Sequence, residues 1–299
     1  MINLDKKGFI HKIIYFSCVD GPGSRAVIFL QGCNYNCKTC HNPQTINLCN
    51  DCAQCVAVCP QQALKLISGK VKWDKSLCIA CDQCIDACPL QSSPKINSYS
   101  VQQVISLLIN KQMFLSGITV SGGEATLQLA FVIQLFKAIK SSTLLSHLTC
   151  FIDSNGSLST RGWQRIMPYL DGVMIDLKAW KNETHFGLVG RKNNRVFKSI
   201  EQLEKEGKLY EVRLLYIPDK TDLLTEIDAL GIYLKNLKSE VKIRINAFQH
   251  AGVVGEALKW NSATQSQIQL FKQKLESYIG REVYIPTLYE NMAKGISKI

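Results

Sequence analysis

The sequence lacks the features of membrane, secreted and disordered proteins. No apolar run approaches the roughly 18 residues of a membrane-spanning helix, and residues 1–17 carry charges where a signal peptide has an apolar core. Low-complexity tracts are also missing. Hydrophobic residues make up 46% of the 299 residues and charged residues 20%, a composition that argues against disorder and coiled coil. We therefore predict a cytoplasmic globular protein, large enough for one α/β domain with or without a small insert.

Acidic residues are too few to balance the basic ones, 24 against 35, so the formal charge is +11. Such an excess suits an acidic partner or a nucleic acid, although a diffuse basic surface is its commoner cause. Aromatic residues do not alternate regularly with the basic ones, which argues against nucleic-acid binding. One basic stretch is either a docking surface for an acidic protein or a solvated loop: Lys181, Arg191, Lys192, Arg195 and Lys198.

Cysteine is nearly absent outside one segment, because eleven of the 13 cysteines lie between Cys33 and Cys88. A secreted, disulfide-stapled protein would be smaller and would spread its cysteines along the chain. Tight C-x-x-C spacings without an export signal indicate metal ligation in a reducing compartment. The remaining two, Cys18 and Cys150, stand among apolar residues and are predicted to be packed thiols.

Short apolar runs alternate with stretches of helical period from residue 99 onward, which predicts parallel strands joined by helices. The arrangement suits an incomplete barrel or an open wound sheet, and periodicity does not choose between them. Strands are predicted at 118–121, 148–153, 173–177, 212–217 and 243–248, with a weaker one at 282–285 and an earlier one at 26–30. Helices are predicted at 101–115, 127–139, 163–170, 196–205, 224–237 and 264–278.

Residues 46–97 interrupt this pattern, and residues 89–98 have the composition of a linker. The interrupting segment repeats C-x2-C-x2-C-x3-C-P with an offset of 29 residues, as in a bacterial two-cluster ferredoxin. In that spacing three cysteines bind one iron–sulfur cluster and the fourth reaches the other cluster. Two zinc sites are the alternative. The expected sets are Cys49, Cys52 and Cys55 with Cys88, and Cys78, Cys81 and Cys84 with Cys59.

A second motif, C-x3-C-x2-C, follows the earliest predicted strand and consists of Cys33, Cys37 and Cys40. Three thiolates would leave one iron of a four-iron cluster open to a non-protein ligand, which is typical of a reactive site. A distant cysteine such as Cys18 or Cys150 could instead complete the site, or three thiols could hold zinc.

This motif at the end of a first strand resembles the radical S-adenosylmethionine superfamily, in which the cofactor's amino and carboxylate groups chelate the open iron. Ser121-Gly122-Gly123-Glu124, placed after another predicted strand, resembles the superfamily's GGE motif. Glycines let a backbone approach a ligand, and a glutamate can pair with an ammonium group.

Four further runs resemble the glycyl-radical enzyme activating enzymes, of the pyruvate formate-lyase activase type. These runs are Asp20-Gly21-Pro22-Gly23-Ser24-Arg25, Cys40-His41-Asn42-Pro43, Asp153-Ser154-Asn155-Gly156 and Asp176-Leu177-Lys178. One branch of that family carries a two-cluster ferredoxin insert at the corresponding point. The resemblance therefore implies an α/β fold: a partial (β/α)6 barrel formed by residues 1–45 and 97–299, with a ferredoxin-like domain at 46–96.

The resemblance also implies the residues of the site. The catalytic cysteines would be Cys33, Cys37 and Cys40. The cofactor contacts would be Thr39, Cys40, His41, Gly122, Gly123, Glu124, Asp153, Asp176, Leu177, Lys178 and His250. The family places a histidine directly after an aromatic residue of a late strand, whereas this chain has Phe248-Gln249-His250, so His250 acts through a local shift, Gln249 substitutes, or the contact is absent.

The activity implied is reductive cleavage of S-adenosylmethionine to methionine and a 5′-deoxyadenosyl radical, which removes hydrogen from a glycine of a partner enzyme. Three [4Fe-4S] clusters, S-adenosylmethionine, a glycyl-radical enzyme as protein substrate and a flavodoxin- or ferredoxin-type reductant would be needed. The two insert clusters would relay electrons inward or be structural. The alternatives are a radical enzyme that acts on a small molecule or RNA, and a non-catalytic electron carrier.

Overall fold

The structure is a computed structural model, and it describes residues 1–286. The chain forms two compact units. The first consists of Met1–Asn34 and Asn42–Asp153, and the second of Tyr35–His41 and the described chain from Ser154 onward. Residues 46–96 lie within the first unit, and their status as a separate insert stays a prediction.

The first unit contains a five-stranded sheet of mixed direction in the order β5-β1-β2-β6-β7. Strands β2, β6 and β7 run parallel, whereas β1 is antiparallel to both of its neighbours. The elements are β1 (Lys7–Ser17), β2 (Arg25–Leu30), α1 (Gln54–Ala57), β3 (Leu64–Ile67), β4 (Lys70–Trp73), α2 (Gln83–Asp86), β5 (Asn97–Ser100), α3 (Val101–Ile109), β6 (Gly117–Gly122), α4 (Leu129–Lys140) and β7 (Thr149–Ser154).

Helix α4 contributes to the core of this unit through an apolar stripe, since an apolar residue recurs at every fourth position from 127 to 139. Phe131, Leu135 and Ile139 are buried, while Leu127, the first member of the stripe, lies before the helix and is half exposed. Helix α3 begins at a capping box between Ser100 and Gln103, and it ends at Ile109, earlier than predicted. A short 3₁₀ turn occupies the remainder of that stretch.

The cysteine-rich segment folds as a small repeat. Helices α1 and α2 have four residues each, and each follows a residue in the left-handed conformation, Ala53 with φ 64° and Asp82 with φ 60°. Between them, β3 and β4 form an antiparallel hairpin. Cys55, Leu64 and Cys84 are the buried centre of the segment. Small domains with so few buried apolar residues commonly obtain further stabilisation from metals.

The second unit contains four parallel strands in the order β8-β9-β10-β11. Helix α9 begins at a capping box formed by Thr264 and Gln267, and Gly280 ends it in the left-handed conformation. The elements are α5 (Thr160–Ile166), β8 (Gly172–Leu177), α6 (Asn182–Val189), α7 (Asn194–Lys205), β9 (Leu209–Tyr216), α8 (Ile227–Lys235), β10 (Lys242–Ala247), α9 (Gln265–Ile279) and β11 (Val283–Tyr284).

The predicted strands are all found within a few residues of their expected positions. The prediction of a parallel sheet is incomplete, because β1 and β5 are antiparallel. The predicted linker at 89–98 in fact enters β5. A partial barrel stays a prediction.

Within the described chain, no helix combines the length and apolar character that crossing a bilayer requires.

A fully buried arginine connects three strands of the first unit. Arg25 donates hydrogen bonds from Nε to Thr119 Oγ1 at 2.7 Å and from Nη1 to Thr149 Oγ1 at 2.8 Å. Its remaining donors bond to the backbone oxygens of Pro22, Ile118 and Thr149. The guanidinium also lies over the Phe151 ring, 4.3 Å from the centroid. All five donors are therefore used inside the protein.

We predict that Arg25→Met lowers the free energy of unfolding by about 3 kcal/mol, because buried acceptors on three strands lose a charged donor. Denaturant titration of anaerobically prepared protein measures the change. Arg161→Met, which removes an exposed arginine, is the matched control and should change stability little. Equal losses in the two variants would contradict a special role for Arg25.

Candidate functional site

The first cysteine of the C-x3-C-x2-C motif is placed by backbone hydrogen bonds at the carboxyl end of β2. Cys33 donates its N–H to the carbonyl oxygen of Ile46 at 2.9 Å, and Gly32 donates to Thr45 at 2.8 Å. The Cys33 side chain is half-buried. The prediction that the motif follows the first parallel strand is consistent with this position, since the carboxyl ends of parallel strands are where α/β proteins place ligand sites.

The other two cysteines of the motif lie in a segment that packs on α6 in the second unit. Asn36 and Lys38 donate their backbone N–H groups to Val189 and Leu188, at 3.1 and 3.0 Å. Cys40 closes a turn by donating its N–H to Cys37 at 3.1 Å. The segment is therefore held against α6 on both sides of Cys37, and the turn connects Cys40 to it.

A buried histidine supports this segment, and the sequence did not reveal it. His185 lies fully buried in α6 with its ring 5.7 Å from that of Tyr35 in a T-shaped contact. Its Nδ1 lies 2.6 Å from the carbonyl oxygen of Arg191. Burial is the main cause that lowers the pKa of His185, so the neutral ring is favoured. Its role is to pack beneath the cysteine segment.

Asp176 and Lys178 form an ion pair at the end of β8, with Lys178 Nζ 2.8 Å from Asp176 Oδ2. Burial would lower the pKa of Lys178, but the Asp176 carboxylate and the sulfurs of Cys37 and Cys40 raise it above its ordinary value. Burial would raise the pKa of Asp176, but Lys178 and Arg213 hold it below its ordinary value. Both groups therefore keep their charges, and an ammonium lies near two of the motif cysteines.

His41 follows the last cysteine and is influenced by the same ion pair. Desolvation and the Lys178 ammonium lower the pKa of His41. Its carbonyl oxygen lies so near Gly252 that a Cβ on that glycine would be 2.3 Å away. Gly252 also has φ +75°, so a side chain is excluded there on two grounds. Thr39, between the two cysteines, is half-buried.

The GGE run, which begins at the last residue of β6, requires its glycines. Gly122 has φ +114°, and a Cβ there would lie 2.3 Å from the backbone of Leu30. A Cβ on Gly123 would lie 2.2 Å from the carbonyl oxygen of Gly32. Glu124 is buried, and its Oε1 accepts hydrogen bonds from the backbone and hydroxyl of Thr126. The glutamate therefore begins the following turn.

The remaining predicted contacts lie at strand ends. Asp153 Oδ2 accepts a hydrogen bond from Ser121 Oγ at 3.0 Å, and Leu177 is buried in β8. His250 lies beyond β10, where its Nε2 is 2.7 Å from the Trp260 carbonyl oxygen and its Nδ1 is 3.2 Å from Ser262 Oγ. Since both ring nitrogens have partners within the chain, a contact between His250 and a cofactor stays a prediction.

The cysteines of the repeat occur as two groups. The Cys84 group (Cys59, Cys78, Cys81 and Cys84) is the second set expected from the spacing, and all four members line one cavity together with Trp73 and Lys95. The Cys55 group is the other set and consists of Cys49, Cys52, Cys55 and Cys88. Burial, followed by the sulfurs of Cys49, Cys84 and Cys88, raises the pKa of Cys55 to about 11.

Hydrogen bonds connect the Cys55 group with the segment that holds Cys33. Ser92 donates its N–H to Cys88 Sγ at 3.4 Å and its hydroxyl to the carbonyl oxygen of Asn47 at 2.8 Å. Asn47 follows Ile46, which accepts the Cys33 N–H. Ser92 is fully buried, so this connection is shielded from water.

Two other cysteines lie outside both motifs. Cys150 is buried in β7, as predicted for a packed thiol. The same prediction is wrong for Cys18, which is exposed in the loop after β1. The described residues contain no group of three or more His, Cys, Asp or Glu side chains that could hold a single metal ion.

In the basic stretch, Lys181 pairs with Glu226 at 2.5 Å.

Comparison with known proteins gives a family and several relatives, of which two illustrate the range. The family model described as "4Fe-4S single cluster domain" matches residues 19–197. The pyruvate formate-lyase-activating enzyme of Streptococcus mutans is 28% identical over 247 residues, which are 82% of this chain and 79% of the relative. The (2S)-3-sulfopropanediol dehydratase activating enzyme of Klebsiella oxytoca is 29% identical over 255 residues, 79% of each protein.

Solved structures of other proteins share the fold, among them QueE and SuiB. QueE from Escherichia coli is 12% identical with a TM-score of 0.53, and the match covers 94% of each chain. SuiB from Streptococcus suis, bound to precursor peptide SuiA, is 12% identical with a TM-score of 0.55, over 87% of this chain and 48% of that one. At these identities the likeness concerns the fold alone.

We predict that Gly123→Ala destabilises the protein, because the added Cβ meets the Gly32 carbonyl oxygen, a backbone atom that has little freedom to move. A lower midpoint of denaturant unfolding is the expected result. Gly187→Ala is the matched control in α6, where a Cβ meets nothing within 4 Å and alanine favours the helix. Tolerance of Gly123→Ala would show that the turn can shift.

We predict that Lys178→Met reduces stability by roughly 2 kcal/mol near neutral pH, because a half-buried carboxylate loses its charged donor. Because the pKa of Asp176 is lowered in the folded protein, its carboxylate stabilises the fold at pH values above the ordinary pKa of 3.8. This stabilisation is lost as the pH falls through the folded-state pKa. Because the pKa of Lys178 is raised in the folded protein, its ammonium stabilises the fold at pH values below the ordinary pKa of 10.5. This stabilisation is lost as the pH rises through the folded-state pKa.

The difference in unfolding free energy between wild type and Lys178→Met should therefore be constant between about pH 5 and 9 and should shrink in acid. Denaturant unfolding across this range measures it. Lys181→Met, at an exposed ion pair, is the control and should have little effect. A difference that grows as pH falls would contradict the assigned charges.

Proposed function

Because the chain belongs to the 4Fe-4S single cluster domain family, we propose that it is a glycyl-radical enzyme activating enzyme that uses S-adenosylmethionine. The prediction of a radical S-adenosylmethionine oxidoreductase is confirmed by relatives that bear the names of activating enzymes. The observation that carries the finer proposal is the ion pair at the end of β8, in which Lys178 Nζ lies 2.8 Å from Asp176 Oδ2, in the same unit as Cys37 and Cys40.

The residue types of the C-x3-C-x2-C motif suit a four-iron cluster. Cys33, Cys37 and Cys40 would hold three irons, since soft thiolates are the ligands that such clusters take. When bound, the cluster and S-adenosylmethionine would supply one-electron cleavage of the sulfonium to methionine and a 5′-deoxyadenosyl radical.

The chain's own residues would bind and orient the cofactor. Lys178 stays protonated and can donate to a carboxylate, and Asp176 stays ionised and can accept from an ammonium or a ribose hydroxyl. Gly122 and Gly123 keep the turn after β6 free of side chains, so its backbone can approach a ligand. The predicted contacts of Thr39, His41, Glu124, Asp153, Leu177 and His250 belong to this proposal.

The protein substrate would be a glycyl-radical enzyme. The relatives are named for pyruvate formate-lyase and for (2S)-3-sulfopropanediol dehydratase, both of which are proteins rather than small molecules. A partner's glycine would have to reach the site directly, because a primary carbon radical does not survive in water. The basic stretch that includes Arg191, Lys192 and Arg195 is the proposed contact surface for an acidic partner.

The two cysteine groups of the repeat would hold two further [4Fe-4S] clusters, which makes three per chain. The cavity that Cys59, Cys78, Cys81 and Cys84 line supports the Cys84 group. The hydrogen-bonded connection from Cys88 through Ser92 to the Cys33 segment supports a relay role from a flavodoxin- or ferredoxin-type reductant inward.

Incubation of the anaerobic holoprotein with reductant, S-adenosylmethionine and a candidate partner enzyme tests the function. We predict a glycyl-radical signal in electron paramagnetic resonance (EPR) only when all components are present, and about twelve irons per chain. Cys33→Ala should abolish both the signal and the cleavage of S-adenosylmethionine.

Cys18→Ala is the matched control, because this exposed cysteine lies outside both motifs, and it should behave as wild type. Turnover of a small molecule or RNA without a partner protein would instead support a different radical enzyme. Unchanged activity in Cys33→Ala would support an electron carrier without radical chemistry.

A further inference from the structure

Two ion pairs lie beside the two cysteine groups of the repeat. Asp51, next to Cys52, pairs with Lys70 at 2.8 Å. Asp82, next to Cys81, pairs with Lys95. Each pair therefore combines an aspartate of a cysteine loop with a lysine from elsewhere in the first unit.

The two ion pairs differ in which member is shielded from solvent. In the first pair the carboxylate is the shielded member, since the Asp51 side chain is 18% exposed and that of Lys70 is 66% exposed. In the second pair the ammonium is the shielded member, since the Lys95 side chain is 12% exposed and that of Asp82 is 59% exposed. The Cys55 group therefore has a shielded negative neighbour, and the Cys84 group a shielded positive one.

The backbone does not show this asymmetry. With the repeat offset of 29 residues, Asp51 corresponds to Ala80 and Asp82 to Ala53. Asp51 and Ala80 have φ 59° and 57°, while Ala53 and Asp82 have φ 64° and 60°. The two loops therefore share one conformation and differ in where each places its aspartate.

Lys95 lies where its charge acts on the Cys84 group. It lines the same cavity as Cys59, Cys78, Cys81 and Cys84. The backbone of Lys95 is held by a hydrogen bond from its N–H to Ser93 Oγ at 3.1 Å. Lys70 instead stands at the exposed start of β4, and the Asp51 carboxylate also accepts the Val71 N–H at 2.9 Å.

A shielded charge exerts a stronger field than an exposed one, because solvent and salt screen the exposed partner. The reduction potential of an iron–sulfur cluster depends on nearby charge, and a positive neighbour favours the reduced, more negative form. The two ion pairs would consequently shift the reduction potentials of the two cysteine groups in opposite directions.

We propose that Lys95 and Asp51 make the cysteine groups unequal redox sites, with the higher potential at the Cys84 group and the lower at the Cys55 group. The proposal rests on the clusters assigned to the repeat under the proposed function. It does not depend on radical chemistry or on a partner enzyme. An electron that enters the repeat would reside first at the Cys84 group.

Potentiometric titration followed by EPR tests this in the full-length chain. The background variant carries Cys33→Ala, Cys37→Ala and Cys40→Ala, so that only the repeat is observed. We expect two potentials. Lys95→Gln should lower the higher one, and Asp51→Asn should raise the lower one, each by roughly tenfold in the reduction equilibrium, about 59 mV for one electron.

Two variants serve as controls. Lys95→Arg keeps the charge and should keep the potential, and Lys70→Gln removes an exposed charge and should shift neither potential appreciably. The proposal is overturned if Lys95→Gln shifts the lower potential, both potentials or neither, or if iron analysis finds no iron in the background variant. Wild-type failure to activate any partner, with these shifts present, would instead reject only the proposed function.

Discussion

Backbone hydrogen bonds at the carboxyl end of β2 are the constraint on which the site depends. Leu30 accepts the N–H of Gly123 at 2.9 Å, and Gly32 accepts that of Glu124 at 2.8 Å. Gly32 in turn donates to Thr45 at 2.8 Å. Three chain segments thus meet without an intervening side chain, so glycine is required at positions 122 and 123. Cys33 directly follows Gly32, so these hydrogen bonds also determine the backbone position of Cys33.

The sequence predicted the elements whose apolar residues repeat at a regular period and are fully buried. Strand β8 and helix α4 are examples, because the strand is apolar except for Asp176 near its end and the helix has an apolar stripe with a four-residue period. The sequence did not predict β1, whose residues are mostly exposed or half-buried, and only Gly8 and Ile10 are buried. An antiparallel strand with so few buried residues has a weak hydrophobic signal, since one of its faces is solvated.

The candidate site was predicted where a motif combines residue type with spacing, as in the cysteine runs and the glycines after β6. Contacts between distant residues were not predictable in the same way. His185 lies beneath Tyr35 because α6 packs there, and Gly252 approaches His41 because the chain turns after β10. Neither residue stands in a recognisable motif. Their positions depend on tertiary packing, which local sequence does not specify.

The cysteine repeat shows how one backbone can hold two different electrostatic environments. Repetition preserves the left-handed positions that let each loop wrap around its cysteines, because those positions determine the conformation. The aspartates are not bound by this requirement, since alanine occupies the corresponding position of the other loop in both cases. Charge can therefore diverge between the loops while the geometry that orients the thiols is retained. A repeat of this kind can hold two sites of unequal potential through two side chains, without any change in its fold.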